Sequence, residues 1–468
     1  MLVTARHWSF CVALGLAACG EQAGAPPAPP AGVGASSTAG APSAGGQAAA
    51  GTSPAANGSG AVSSIAGASS AGASSAGANG SVSGGANAGQ GGASVGAGSS
   101  AGAAGSSSSA GTPAFEYPPR AEIVAVLARV NQQFADKWPD PNATLPGNRP
   151  SNIWTRAVYY EGSMALYGLT RAPAYRDYAL EWADANDWGL RSPSNNADNQ
   201  CAGQTYLELH RLDGGMQAKQ IAAISKAIDA MVASAAVNAW TWVDAIQMSM
   251  PVFAQLGALS NQTTYYEKMY ALYAHSRDVE GGGLYDTKTH LWWRDAKWKP
   301  PAQLSPAGKD VYWSRGNGWV FAALARVLER IPESAPHRAL YVDDFVAMAN
   351  ALKAAQRADG FWNPSLADAM HYGGPELTGT ALFTFGMAWG IRRGLLDEAS
   401  YAPSVLAAWR GMLAQSVHED GFLGFVQSTG DDPSDGQPLS FDKLPDFEDY
   451  GVGCFLLAGS ALAELSDR

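Results

Sequence analysis

The sequence predicts an all-α fold, a toroid of six helical hairpins carried behind a disordered linker. Three observations carry that prediction. Beyond residue 113, apolar residues recur with helical period through twelve segments, and convincing strands are few. The segments alternate in character: 219–233 carries lysines on one side, whereas 243–256 carries almost no charge. Glycines crowd before residue 114, while fourteen of the fifteen tryptophans follow it, so a low-complexity leash precedes a packed body. Paired helices, one mostly buried and one amphipathic, describe a double ring; a four-helix bundle needs only one buried face per helix.

In chain order, residues 1–18 read as an export signal, with Arg6 as the positive charge and 10–18 as a short apolar run. Leu16-Ala17-Ala18-Cys19 matches a bacterial lipobox, which makes Cys19 the lipidated first residue of the mature chain. Gly20 follows, not Asp, so anchoring in an outer membrane, periplasmic or surface-facing, is expected. Residues 19–113 are almost wholly Gly, Ala, Ser and Pro, with one charge and no aromatic residue. They cannot bury enough apolar surface to offset ordering and read as a disordered linker. Its root-mean-square reach is about 50–60 Å.

The body, 114–468, is long enough for a large core. Its helices are expected at 121–134, 154–169, 173–186, 201–212, 216–234, 243–259, 263–277, 317–331, 337–358, 376–395, 401–418 and 450–465. Cys201 and Cys454, far apart within apolar helical runs, read as buried free thiols, with a disulfide as the alternative. A formal net charge of −11 argues against nucleic acid as a partner. After the signal, no apolar run is long enough to span a membrane. Neither metal-ligand spacing nor a cofactor motif stands out, so no cofactor is expected. Nothing in the sequence sets the oligomeric state.

In a double ring the inner helices are covered except at their ends, which places function in the loops at one mouth. Those loops are conspicuous. Residues 281–300 hold Tyr285, His290, Trp292, Trp293, Arg294 and Trp298; Tyr312, Trp313 and Trp319 follow, and 422–450 is long and acidic. Aromatic loops beside a cation suit a pyranose ring, although a lone tryptophan is more often core.

Several motifs point further. Trp154-Thr155-Arg156-Ala157-Val158-Tyr159-Tyr160-Glu161-Gly162, Gly203-Gln204-Thr205-Tyr206-Leu207-Glu208-Leu209 and Trp242-Val243-Asp244 come first. Trp313-Ser314-Arg315-Gly316-Asn317-Gly318-Trp319, Thr378-Gly379-Thr380-Ala381 and Tyr450-Gly451-Val452-Gly453 follow in order. Together they resemble the unsaturated uronyl hydrolases of glycoside hydrolase family 105, relatives of family 88. The resemblance implies a six-hairpin (α/α)6 barrel over 114–468. It also implies hydrolysis of lyase-generated oligosaccharides that carry a 4,5-unsaturated uronyl residue at the non-reducing end. Hydration of the C4=C5 bond gives a hemiketal that falls apart and releases the sugar. Unsaturated galacturonyl-rhamnose from pectin is the family's usual substrate. A glycosidase or lyase acting from the same barrel, and a surface glycan-binding lipoprotein without turnover, are the competing readings.

Protonating C4 of an enol ether calls for a carboxylic acid and for a base to activate water. By position in the motifs, Asp244 matches the family's catalytic acid and Asp198 its second carboxylate, with Asn199 where related sequences often carry another acid. By spacing alone, 241–244 is a capping box with Asp244 at N3, and Asp198 is equally an N-cap. Arg315 is expected to grip the uronate carboxylate with its planar fork, and Gly316 to let backbone approach the sugar. Trp242, Trp313 and Trp319 are expected as stacking walls, with core packing as the alternative, and His290 as a substrate contact.

Overall fold

The computed structural model describes residues 115–467. The signal, Cys19 and the linker lie outside them. The described residues form thirteen α-helices: α1 Arg120–Lys137, α2 Trp154–Thr170, α3 Pro173–Ala185, α4 Ala197–Gln200, α5 Ala202–Leu212, α6 Lys219–Ala233, α7 Asp244–Ser260, α8 Thr263–Asp278, α9 Ser314–Arg330, α10 Arg338–Ala354, α11 Leu377–Arg392, α12 Glu398–Gln415 and α13 Asp449–Leu465. Among the described residues there are only isolated β-bridges and no strands.

Helices α2, α5, α7, α9, α11 and α13 each pack on the next, and α13 returns to α2, so they close an inner ring. Outside it, α3, α6, α8, α10 and α12 each pack on the inner helix just before them, and α1 packs on α13 and α2. This is the expected (α/α)6 double ring, and burial explains the alternation in the sequence. In α7 every residue from Asp244 to Gly257 is buried. In α6 only Gln220, Ile224, Ala227, Ile228 and Met231 are, one stripe at spacings of three and four.

The ring closes through glycine. A Cβ on Gly162 of α2 would fall 2.3 Å from the carbonyl oxygen of Gly453 on α13, and one on Gly453 would fall 2.2 Å from that of Val158. The two backbones touch because neither residue has a side chain. Beside this seam, Arg156 of α2 bonds Asp449 of α13 through Nε at 3.3 Å, fully buried.

Connections leaving inner helices are short: 171–172 after α2, 261–262 after α7 and 393–397 after α11. Arg171 and Asn261 end α2 and α7 in the left-handed conformation, which turns the chain at once. Connections leading into inner helices are long, among them 138–153, 279–313, 355–376 and 416–448. The long loops therefore gather at one mouth, around the N-termini of the inner helices. Each N-terminus presents about half a positive charge, so this mouth favours an anion. At the opposite mouth acids and arginines neutralise one another, as Glu464 and Arg392 do at 3.2 Å.

Three helices depart from the expected spans in ways that matter. α9 starts at Ser314, not at 317, so Arg315, Gly316 and Asn317 lie in its first turn. α7 starts at Asp244 itself, with no side-chain cap, so 241–244 forms no capping box. α4 is a single turn that periodicity does not mark. Cys201 and Cys454 are buried free thiols.

Candidate active site

Three stretches distant in sequence meet where α7 begins. Trp242 and Asp295 form an antiparallel bridge, and the Val243 amide donates to the Arg294 carbonyl at 2.9 Å. That backbone stitching sets the Arg294 side chain beside Asp244. Its Nε donates to Asp244 Oδ2 at 3.1 Å and its Nη1 to Asp295 Oδ2 at 2.7 Å, while Asp431 Oδ2 lies 3.8 Å away. Asp431 also pairs with Lys297, which ties the 416–448 loop to the 279–313 loop. Asp244 is only 8% exposed, and Arg294 is the group that bonds its carboxylate.

Asp198 approaches from α4, which packs on α7. Asn196 caps α4, accepting from the Asp198 amide at 2.9 Å, so the N-cap role belongs to Asn196 and leaves the Asp198 carboxyl for other work. Ser249 Oγ bonds Gln200 Oε1 at 2.5 Å and fixes α4 against α7. Burial first, and the Asp244 charge second, push the Asp198 carboxyl up to about 6, against the pull of Arg294 and Arg191. Two carboxyl groups, one bonded by a guanidinium and one raised well above the usual carboxylate range, thus act on each other. Further along the barrel axis, burial likewise pushes Glu161 up to about 6, although Arg326, Cys201 and Gln247 favour its anion.

Trp242 is half-buried and, with Glu280, Arg294, Asp295 and Lys297, lines an open pocket of about 280 Å³ on the side of Arg294 and Asp295.

The other expected contacts are placed differently. Arg315 is 1% exposed, and its fork is spent on the chain: Nη1 donates to the Gln427 carbonyl at 2.9 Å and Nη2 to that of Ser428 at 2.8 Å. Its guanidinium also lies over the Trp313 and Tyr450 rings. It anchors the 416–448 loop and does not offer a free fork to a uronate. Trp313 and Trp319 are 1% and 0% exposed; one bonds Gln427 Oε1, and the other meets Trp154 edge-on, so both are core rather than stacking walls. Gly316 makes room for protein, not sugar, since a Cβ there would meet the Trp313 ring at 2.9 Å. Asn317 does not cap α9; its amide pins the Trp292 backbone in both directions. His290 bonds Tyr285 at 2.8 Å, and the Tyr285 ring lies under Arg277 of α8. No contact among the described residues joins His290 to Asp198 or Asp244.

Arg315→Ala should therefore act on stability. It removes two charge-assisted bonds and should cost about 3 kcal/mol. The expected result is a lower Tm and faster proteolysis within 416–448. A substrate-gripping role predicts the reverse: a raised KM at unchanged Tm.

Asp431, Asp432 and Asp435 each offer an oxygen within 4.8 Å of the others and are the acidic group among the described residues that could hold a cation. Two of the three are otherwise engaged, because Asp435 accepts the amides of its two neighbours and Asp431 pairs with Lys297.

Sequence reasoning met Arg294 only as the cation of an aromatic loop, and missed Asp295 and Asp431. Their signal is a backbone bridge and a loop-to-loop ion pair, which no local pattern announces.

A closed double ring of helices with a coupled carboxyl pair at its loop-rich mouth has the form of a glycoside hydrolase. The family profile described as Glycosyl Hydrolase Family 88 matches residues 126–465. An unsaturated 3S-rhamnoglycuronyl hydrolase from Formosa agariphila is 32% identical over 331 residues, 67% of this chain and 85% of that protein. One of the same name from an Alteromonas species is 33% identical over 346 residues, 69% of this chain and 80% of that protein. The solved structure of a family 88 glycosyl hydrolase from Bacteroides vulgatus superposes with a TM-score of 0.68 at 31% identity, covering 74% of this chain and all of that one. The chain belongs to glycosyl hydrolase family 88, and it is an enzyme of the unsaturated uronyl class, as the motifs imply.

Proposed function

We propose that this chain removes the unsaturated uronyl residue through the Asp198–Asp244 pair, and that the released sugar is a rhamnose. The observation that carries the reading is a carboxyl raised to about 6 near a second one bonded by a guanidinium, at a mouth where helix N-termini favour an anion. Asp244 delivers a proton to C4 as the C4=C5 pair takes it, leaving oxocarbenium character at C5. Water adds at C5 and loses its proton to Asp198. The hemiketal then opens and expels the rhamnosyl alcohol. Asp198 ends protonated and Asp244 ionised, which restores the resting pair.

The names of the two curated relatives favour a 3S-rhamnoglycuronyl substrate over the galacturonyl-rhamnose of pectin. The proposed setting is outside the cytoplasm, with the enzyme tethered through Cys19 to an outer membrane. Turnover by residues 114–468 should be followed as loss of alkene absorbance, on unsaturated disaccharides from ulvan, pectin and glycosaminoglycan lyases. Turnover of the ulvan product first supports the reading; preference for the pectin product overturns the substrate choice. Sugar binding without turnover of any of them overturns the activity.

A further inference from the structure

Asp244, which must protonate C4, opens a helix, and in the resting enzyme its carboxyl is occupied by a guanidinium. The residue expected to take the substrate carboxylate, Arg315, is buried and committed to two carbonyls. One arrangement answers both facts. We infer that Arg294 is the receptor for the uronate carboxylate, and that its transfer from Asp244 to the substrate is what frees Asp244 to carry the proton. This inference rests on the activity proposed above.

The geometry supports the exchange. Arg294 faces the open pocket shared with Trp242, and its Nη2 makes no hydrogen bond in the structure. Its position is fixed by the Val243–Arg294 backbone bond, so it can change partners without moving its backbone. Asp198 on α4 and Arg294 on 279–313 act on Asp244; Arg191 on 187–196 acts on Asp198, and Asp295 on 279–313 and Asp431 on 416–448 hold Arg294. Asp295 and Asp431 keep Arg294 charged and in place after it leaves Asp244. When a uronate takes the guanidinium, the proton stored on Asp198 passes to Asp244, directly or through one water. Asp198 becomes the base in the same step, so no proton is gained or lost by the pair. A neutral sugar cannot trigger the exchange, so the resting enzyme discriminates by charge at the proton donor as well as by fit.

The test compares wild type, Arg294→Gln and Arg294→Lys on an unsaturated uronyl-rhamnose disaccharide and on its uronate methyl ester. Wild type should prefer the acid by about a hundredfold or more in kcat/KM. Arg294→Gln should lose most of that preference, through kcat as well as KM, and Arg294→Lys should recover part of it. The high-pH limb of kcat/KM should also move to higher pH in Arg294→Gln, because a cation that pulls the Asp198 carboxyl down is gone. Equal losses on acid and ester with an unmoved limb would mean that Arg294 only braces the loops, and would overturn the inference. Should Arg294→Gln fail to fold by circular dichroism, the acid-to-ester ratio of Arg294→Lys decides in the same way. Absence of turnover by wild type would instead overturn the activity beneath the inference, and the inference with it.

Discussion

Asp244→Asn should lower kcat by about a thousandfold or more, with Tm little changed. The amide has nearly the carboxylate's shape but cannot give a proton to C4, and removing a positioned general acid costs about two to four orders of magnitude. Arg294 keeps Asp295 and Asp431 as partners in the variant, so no cation is left stranded and the start of α7 should hold. Alkene absorbance over a long incubation, beside thermal melts, checks both halves. A variant within tenfold of wild type would remove Asp244 from the chemistry.

Asp198→Asn should have two effects of opposite value. The folded-state pKa of about 6 lies above the ordinary 3.8. The native state therefore binds this proton more tightly than the unfolded chain does. The contribution to stability is complete below about pH 3.8 and is lost as pH rises through 6, by about 3 kcal/mol at the upper end. The asparagine variant has no charge to bury. It should melt higher than wild type near pH 8 and about equally near pH 4. Its activity should fall by about a hundredfold, because the pair has lost its stored proton. In wild type, kcat/KM should fall as pH rises above about 6, the value at which the stored proton leaves. A Tm difference independent of pH would refute the burial account. A carboxylate kept costly for catalysis is a common trade of stability against function.

The helices were legible because each repeats its period several times; the expected 243–259 became Asp244–Ser260. The double ring was legible from the contrast between a striped helix such as α6 and one buried all round such as α7. α4 was not legible, since one turn has no periodicity, and yet it carries Asp198. Trp313, Arg315 and Trp319 were placed at the sugar for a reason of phase. Starting α9 at 317 leaves the Arg-Gly-Asn-Gly-Trp run partly in a loop at the mouth. Starting it at Ser314 rotates the run into the first turn, against Val243, Tyr450 and the 427–428 backbone. The motifs single out Asp198 and Asp244, which the structure places on α4 and at the start of α7, but not the cation that bonds Asp244. Arg294 stands fifty positions beyond Asp244, and what joins them is a pair of extended segments that no side-chain pattern encodes.

The glycine seam between α2 and α13 has a bearing on how the protein is made. α2 leaves the ribosome well before α13, and all of α13 but Glu464 is buried. A chain synthesised only as far as α12 lacks the helix that covers the flanks of α2 and α11 and the Asp449 that pairs with Arg156, so the ring cannot close until α13 is made. Nascent chains stalled just before 449 should be protease-sensitive and dependent on chaperones, and extension past 465 should bring resistance in one step. A stop codon just before α13 should be as damaging as one near the middle of the barrel, although it spares every residue placed in the chemistry.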